Sequence, residues 1–341
     1  MINGIEVKYS ARGLSDGLNI DEDTGVISGT PKTMIVGTLT IVAKVIDGNF
    51  SGEITNEKTN IDIGNVDALI DGSNWPGRMS GQLKYSVDSI HRIVTYTLSY
   101  SYVAQNLVIP SLVLYGDSTY KVEIGDRFFG EKNNDDVEGT LTFSDGIAKI
   151  GYMAFNNCSK LVGSLIIPNS IEEIGVAAFY GCSGFNGVLK LSNNPNFTEI
   201  GQSAFGNTGF TGDLIIPNNI ISIGIQAFEN CSGFNGQLFL SSNLTSIYEF
   251  AFANNHFIGE LVIPFSVISI DLGAFMNSDK IIQLEFLRQS SSEIEIGTWA
   301  FGSWKSTGGI VYVPIGADIN EWETTLYGAA GLNTNWKVFN R

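Results

Sequence analysis

Two stretches of the chain are near copies of one another: residues 165–187 read LIIPNSIEEIGVAAFYGCSGFNG, and residues 214–236 read LIIPNNIISIGIQAFENCSGFNG. Both contain a short apolar segment ending in Pro, then an Ile-Gly pair, an Ala-Phe pair and a polar loop. Recurrence at a fixed period is typical of solenoids, in which each repeat is one structural unit. Further copies in phase with these two would therefore make the chain a repeat array.

The Ala-Phe pair recurs along most of the chain at intervals of 23–26 residues. Its aromatic members are Phe155, Phe179, Phe205, Phe228, Phe252, Phe275 and Phe301, and Phe129 extends the series towards the N-terminus. An Ile, usually followed by Gly, lies five residues before each Phe. These Ile residues are Ile124, Ile150, Ile174, Ile200, Ile223, Ile247, Ile270 and Ile296.

A third column is a short strand that a Pro or Ser ends. Clear copies begin at Leu165, Leu189, Leu214, Leu238 and Leu261, and looser copies begin at Leu107, Leu141, Leu284 and Val311. A unit of this size cannot bury its apolar side chains alone, but stacked units can. We therefore expect the strands to pair in parallel from unit to unit, with an Ile-Gly turn after each and with equivalent Leu, Ile and Phe side chains over one another.

These columns closely resemble the BspA-like leucine-rich repeats of bacterial surface proteins, and the resemblance covers roughly residues 107–315. It implies a mainly β fold, a solenoid of about 8 repeats of 23–26 residues. It also implies a secreted or surface-anchored molecule of adhesin type, since family members are associated with host matrix proteins, host cells or other bacteria.

The ends of the array differ from the repeats. Residues 82–106 alternate polar with apolar or aromatic residues, which predicts a hairpin that serves as a β-rich N-terminal cap. Residues 315–341 are expected to form a C-terminal cap with a short amphipathic helix, in which Trp322 and Leu326 lie one turn apart. The solenoid with both caps would then span residues 82–341.

The N-terminal residues 1–64 have a different pattern. GLNIDEDTGVISGTP, residues 17–31, resembles the signature of immunoglobulin-like modules of bacterial surface proteins, and TLTIVAKVID alternates as a strand does. We expect a small β-sandwich here. Because the resemblance covers less than a full sandwich, the module would be either incomplete or a compact variant. Residues 65–81 are expected to be a linker.

Composition narrows the class of partner and the compartment. The net charge is −16, which would repel nucleic acid and anionic membranes. No apolar run is long enough to cross a bilayer, so direct membrane insertion is not expected. The first residues lack a signal-peptide pattern. We expect an extracellular or cell-surface location, with signal and anchor outside this sequence.

The sequence offers little chemistry for catalysis. The two His residues, His91 and His256, lie apart, and no nucleophile, phosphate or metalloprotease motif accompanies them. We therefore expect no enzyme activity, no cofactor and no metal. Two acidic runs could still ligate Ca²⁺ weakly, although solvated turns explain them better. They are Asp21, Glu22 and Asp23, and Asp135 with Asp136.

The three Cys residues follow the repeat period, with Thr208 in the equivalent position of one repeat. They are Cys158, Cys182 and Cys231. Small, half-buried loop residues are the favoured interpretation. A disulfide between Cys158 and Cys182, which belong to adjacent repeats, and a reactive thiol remain alternatives.

The candidate binding surface is the column of strand side chains that point outward, between two inward-pointing neighbours. Its predicted members are Thr142, Ile166, Lys190, Ile215, Phe239, Val262, Glu285 and Tyr312. Several are apolar, and a contiguous exposed apolar stripe would be a partner-binding surface. The alternative is that neighbouring segments cover these side chains.

The predicted function is therefore a non-catalytic, monomeric binding protein that contacts protein or glycan partners of a host or of bacteria. A structural stalk or surface-layer component is one alternative. An accessory region of a larger secreted hydrolase is another.

Overall fold

The computed structural model describes residues 6–12, 18–20, 27–29, 34–47, 50–61, 82–88, 93–99, 104–109, 113–115, 118–129, 137–304 and 308–341. The strands before the regular coils are β1 Glu6–Arg12, β2 Leu18–Ile20, β3 Ile27–Gly29, β4 Met34–Asp47, β5 Phe50–Ile61, β6 Gln82–Asp88, β7 Ile93–Ser99, β8 Ala104–Ile109, β9 Val113–Tyr115 and β10 Ser118–Ile124. The predicted linker, residues 65–81, lies outside the described residues.

The N-terminal strands pair antiparallel. β4 lies between β1 and β5, β2 pairs with β3, and β6 pairs with β7 in the hairpin that the sequence predicts. β4 also pairs in parallel with β9, so this sheet is continuous with the repeat array. The pairings establish a β-rich segment, and an immunoglobulin-like sandwich stays a prediction.

The coils follow, each contributing short strands. In chain order they are β11 Val137–Phe143, β12 Ile147–Ile150, β13 Lys160–Leu161, β14 Leu165–Ile166, β15 Glu173–Ile174, β16 Leu189–Lys190, β17 Glu199–Ile200, β18 Leu214–Ile215, β19 Ser222–Ile223, β20 Leu238–Phe239, β21 Ser246–Ile247, β22 Gly259–Ile263, β23 Ser269–Ile270, β24 Ile281–Phe286, β25 Glu295–Ile296, β26 Ile310–Val313 and β27 Lys337–Asn340. A short 3-10 helix spans Ser291–Glu293.

The coils are joined by two parallel ladders rather than one. The first contains the predicted Leu strands, for example β14 with β16 and β18 with β20, in register from Leu to Leu. The second runs from β7 through β10 and β12 to β15, and from β17 through β19, β21 and β23 to β25. The prediction of a turn at each Ile-Gly pair was therefore incomplete, because each of these Ile residues is the last residue of a strand in the second ladder.

Between the second ladder and the polar loop, the backbone turns twice through the left-handed region. Residues two before and two after each Phe from Phe155 to Phe301 have φ between 52° and 75°. From Met153 to Asn277 their amides bond to the next coil, as Asn157 N does to the Tyr180 carbonyl at 2.7 Å. These turns therefore add interstrand-like hydrogen bonds outside the two ladders.

The predicted Phe column is the centre of the interior. Consecutive rings from Phe155 to Phe301 stack with centroids 5.2–5.6 Å apart and planes within 8°. At the N-terminal end Phe128 and Phe129 both contact Phe155, tilted rather than stacked. A second buried column, which the sequence did not single out, lies beside it and consists of Phe185, Phe210, Phe234 and Phe257.

The C-terminal cap contains the predicted helix, α1, at Ile319–Tyr327. Trp322 and Leu326 are fully buried as expected, and Trp322 packs 4.5 Å from Phe286. Asp318 caps the helix by accepting from the amides of Asn320 and Glu321. The helix therefore covers the last coil's apolar interior, which would otherwise face solvent.

Candidate functional site

The outward strand column has the orientation predicted for it in the central coils. Ile166 and Ile215 are 58% and 60% exposed, and Phe239 is 45% exposed, whereas the Leu that precedes each is buried. Lys190 and Thr142 are also exposed. Parallel pairing places Ile166 beside Lys190 and Ile215 beside Phe239. We call Ile166, Lys190, Ile215 and Phe239 the outward strand surface.

More apolar side chains extend this exposure. Val188, one residue before β16, is 50% exposed, and Phe265, just after β22, is 61% exposed. The guanidinium of Arg288 lies 4.9 Å from the Phe265 ring centre and holds the ring from one side. Apolar groups therefore reach solvent along several adjacent coils of a framework that hydrogen bonds keep rigid.

The three C-terminal members of the column are half-buried. Arg341 lies 5.0 Å from the ring centre of Tyr312, and its Nη1 lies 3.1 Å from Glu285 Oε2. Partial burial raises the pKa of Glu285, and a hydrogen bond with Glu260 adds to the rise while Arg341 opposes it. A neighbouring segment thus covers Glu285 and Tyr312, which is the alternative that the sequence left open. The outward strand surface lies N-terminal to these two residues.

The candidate catalytic and metal residues do not converge. Over the described residues, no three His, Cys, Asp or Glu side chains form a group that could hold a metal ion. His256 is half-buried in a coil loop. The other candidates lie outside the described residues: His91, Asp21, Glu22, Asp23, Asp135 and Asp136.

The Cys residues are more buried than predicted, and all three are free thiols. Cys182 Sγ donates to the Phe155 carbonyl at 3.0 Å, and Cys231 Sγ donates to the Phe205 carbonyl at the same distance. Burial raises the pKa of Cys231 to about 11. Burial also raises the pKa of Cys158. These thiols fill the interior of the coils. Because they are buried and neutral, they are also poor nucleophiles.

A polar groove lies where the sequence predicted only solvated loops. It crosses four consecutive coils and is lined by Asn230, Ser232, Asn254, His256, Asn277, Asp279 and Ser303. A sequence signal existed, since His256 and Asp279 replace the Ser or Gly found at this repeat position in earlier coils, as in Ser183 and Gly209.

None of the helices within the described ranges is both long and apolar enough to cross a membrane.

The comparisons with known proteins agree with the repeat geometry. The family described as BspA type leucine rich repeat region matches residues 122–208 and 198–329, more than half of the chain. No curated protein matches the chain. The matched residues are those in which the Phe column and both ladders run.

Solved structures give more distant likenesses. A leucine-rich repeat protein from Bacteroides ovatus ATCC 8483 is 21% identical, with 76% of each chain covered and a TM-score of 0.41. A leucine rich cell surface protein from Faecalibacterium prausnitzii A2-165 is 15% identical over 77% of this chain and 94% of that one, with a TM-score of 0.24. Pneumococcal vaccine antigen PcpA is 13% identical over 78% and 99%, with a TM-score of 0.31.

Proposed function

Because the chain belongs to the BspA-type leucine-rich-repeat family, we propose that it is a non-catalytic binding protein of the bacterial surface that holds a protein partner on its outward strand surface. The observation that carries the proposal is the exposure of Ile166, Ile215 and Phe239 at the same outward strand position of three coils, with Lys190 between the first two. Exposed apolar side chains that cluster on one face are costly to leave in water and typically mark an interaction site.

The framework suits such a role energetically. Short strands fixed by parallel pairing lose little conformational freedom when a partner docks, so more of the contact energy appears as affinity. Phe239 is the natural anchor, because aromatic residues are enriched among the side chains that dominate interface energetics. Lys190 would supply polar contact between the apolar members.

For the other parts of the chain, we propose the domain boundaries that the sequence predicts. Residues 1–64 would be an immunoglobulin-like spacer or second contact, residues 65–81 a linker, and residues 82–341 the capped solenoid. The protein would be secreted or surface-attached and monomeric. Concentration-dependent self-association in sedimentation velocity, without any ligand, would instead favour the stalk or surface-layer alternative.

The test of this function is loss of binding without loss of stability. The chain is passed over immobilised fibronectin, fibrinogen, laminin and collagen, and over whole bacterial cells. A Phe239→Asp variant should bind the responding partner at least about tenfold more weakly, since a charge would replace a hot-spot aromatic. Its melting temperature should not change, because Phe239 is exposed.

The matched control is Ile221→Asp. Ile221 is 43% exposed, close to Phe239, but it precedes the second ladder rather than lying in the first. It should leave binding intact. Equal binding by the Phe239→Asp variant and the original chain would remove the outward strand surface from consideration.

A further inference from the structure

The polar groove is a concave feature, separate in the repeat from the outward strand surface. It has a volume of about 430 Å³, within the range of roughly 300–1,000 Å³ that is usual for small-ligand sites. Its lining comes from the polar loops of four consecutive coils, at the same repeat positions in each. A ligand lying across the coils would therefore meet the same kind of group at every step.

One side of the groove is a ladder of asparagine amides. Asn277 Nδ2 donates to Asn254 Oδ1 at 2.6 Å, and Asn254 Nδ2 donates to Asn230 Oδ1 at 2.8 Å. All three residues have φ between 57° and 59°, a conformation that Asn adopts more readily than most residues. The backbone thus explains why Asn is present, and the ladder fixes which way each amide points.

The other side is not explained by the backbone. Ser232, His256 and Asp279 each lie two residues after a ladder asparagine. Earlier coils have Ser159, Ser183 and Gly209 at this position. An imidazole and a carboxylate therefore appear in the coils where the asparagine ladder runs, and they line the same groove.

The chemistry of the lining selects a ligand class. Each asparagine amide has two N–H donors, of which the ladder uses one in Asn254 and in Asn277, whereas Asn230 only accepts in it. The hydroxyls of Ser232 and Ser303 both donate and accept. Among the residues that the structure describes, no Lys or Arg lines the groove, Asp279 adds negative charge, and the chain carries a net charge of −16, which disfavours an anionic ligand. The described residues form no metal-holding group here.

We propose that this groove binds a neutral oligosaccharide laid across the coils from Asn230 to Ser303. Sugar hydroxyls donate and accept together, which matches amides, hydroxyls, an imidazole and a carboxylate presented side by side. The coils repeat at about 4.8 Å, so successive sugar units meet a fresh set of partners. The proposal stands apart from the protein-binding role of the outward strand surface.

The experiment titrates the chain with soluble tetrasaccharides of β-1,4-linked glucose, mannose, galactose and N-acetylglucosamine, using calorimetry and saturation-transfer NMR. At least one should bind saturably at millimolar or lower concentration. The Asn254→Gly/His256→Ser double variant should weaken this binding by about tenfold or more, since each lost hydrogen bond costs on the order of 1 kcal/mol.

Both replacements occur naturally at these positions in another coil, as Gly181 and Ser183, so the variant is expected to fold. The control is Asn157→Gly, the same change in the same repeat position outside the groove, which should leave binding unchanged. Two outcomes overturn the proposal: none of the four sugars binds, whether or not a sulfated heparin tetrasaccharide does, or binding survives the double variant.

Discussion

Phenylalanine has two roles in this chain, and burial separates them. Phe205 is fully buried, and its ring stacks 5.4 Å from both Phe179 and Phe228. Phe239 is 45% exposed on an outward strand position. Both belong to repeat columns that the sequence identifies. What distinguishes the buried column in the sequence is the Ala directly before each Phe and the Ile further upstream. The same residue type therefore packs the interior in one column and, in the proposed function, contacts a partner in the other.

Truncation should expose this difference. Phe205→Ala is expected to lower the free energy of unfolding by about 3–5 kcal/mol, as removal of a buried ring does. Phe239→Ala should change it by less than about 0.5 kcal/mol, because surface substitutions rarely cost more. Urea denaturation of both variants measures the two values. A cost below about 1 kcal/mol for Phe205→Ala would contradict a packed Phe column.

The buried thiols predict a pH dependence at the residue scale. Burial raises the pKa of Cys231 to about 11, above the roughly 8.5 of a thiol in the unfolded chain. Between these values the folded state keeps a proton that the unfolded state loses, so stability is full below about pH 8.5 and falls as pH rises towards 11.

Replacing this thiol isolates its contribution. Cys231→Thr copies Thr208, whose hydroxyl occupies the equivalent position and donates to the Phe205 carbonyl. Urea denaturation at about pH 8 and about pH 10.5 should show a smaller loss of stability for Cys231→Thr than for the original chain. Equal losses would show that Cys231 does not titrate differently in the two states.

At the scale of elements, the sequence predicted what depends on periodicity and missed what depends on backbone conformation. The Leu strands, the Phe column and helix α1 were all predicted, because apolar spacing reports directly on burial. The sequence predicts only turns where the second ladder lies, since each of its strands from β15 to β25 is two residues long, as in Ser222–Ile223. The left-handed residues were missed because Met153, Ala177 and Phe250, which share this conformation, share no side-chain property.

The C-terminal helix gives a prediction for a single element. Asp318→Ala removes the side chain that accepts from two amides at the helix N-terminus, and should cost about 0.5–2 kcal/mol. Asp318→Ser should cost much less, because Ser also caps helices. Thermal unfolding compares the two variants, and equal losses would mean that the cap is not what Asp318 provides.

At the scale of the molecule, the chain is a stack in which each coil contacts its neighbours, closed at its C-terminal end by α1 and β27. Its repeat architecture could be predicted because every coil obeys the same pattern. The polar groove could not, because it arises from four loops whose proximity exists only once the coils stack. Both proposed binding sites thus depend on stacking rather than on any single repeat.

Removal of one whole coil tests that stacking most directly. Deleting residues 189–213 joins Val188 to Leu214, which keeps the register of every column and brings Phe228 next to Phe179. Deleting only residues 189–201 breaks the register. The account predicts native-like circular dichroism and cooperative unfolding for the first deletion and loss of both for the second. Equal disruption by the two deletions would contradict a continuous interior built from equivalent side chains.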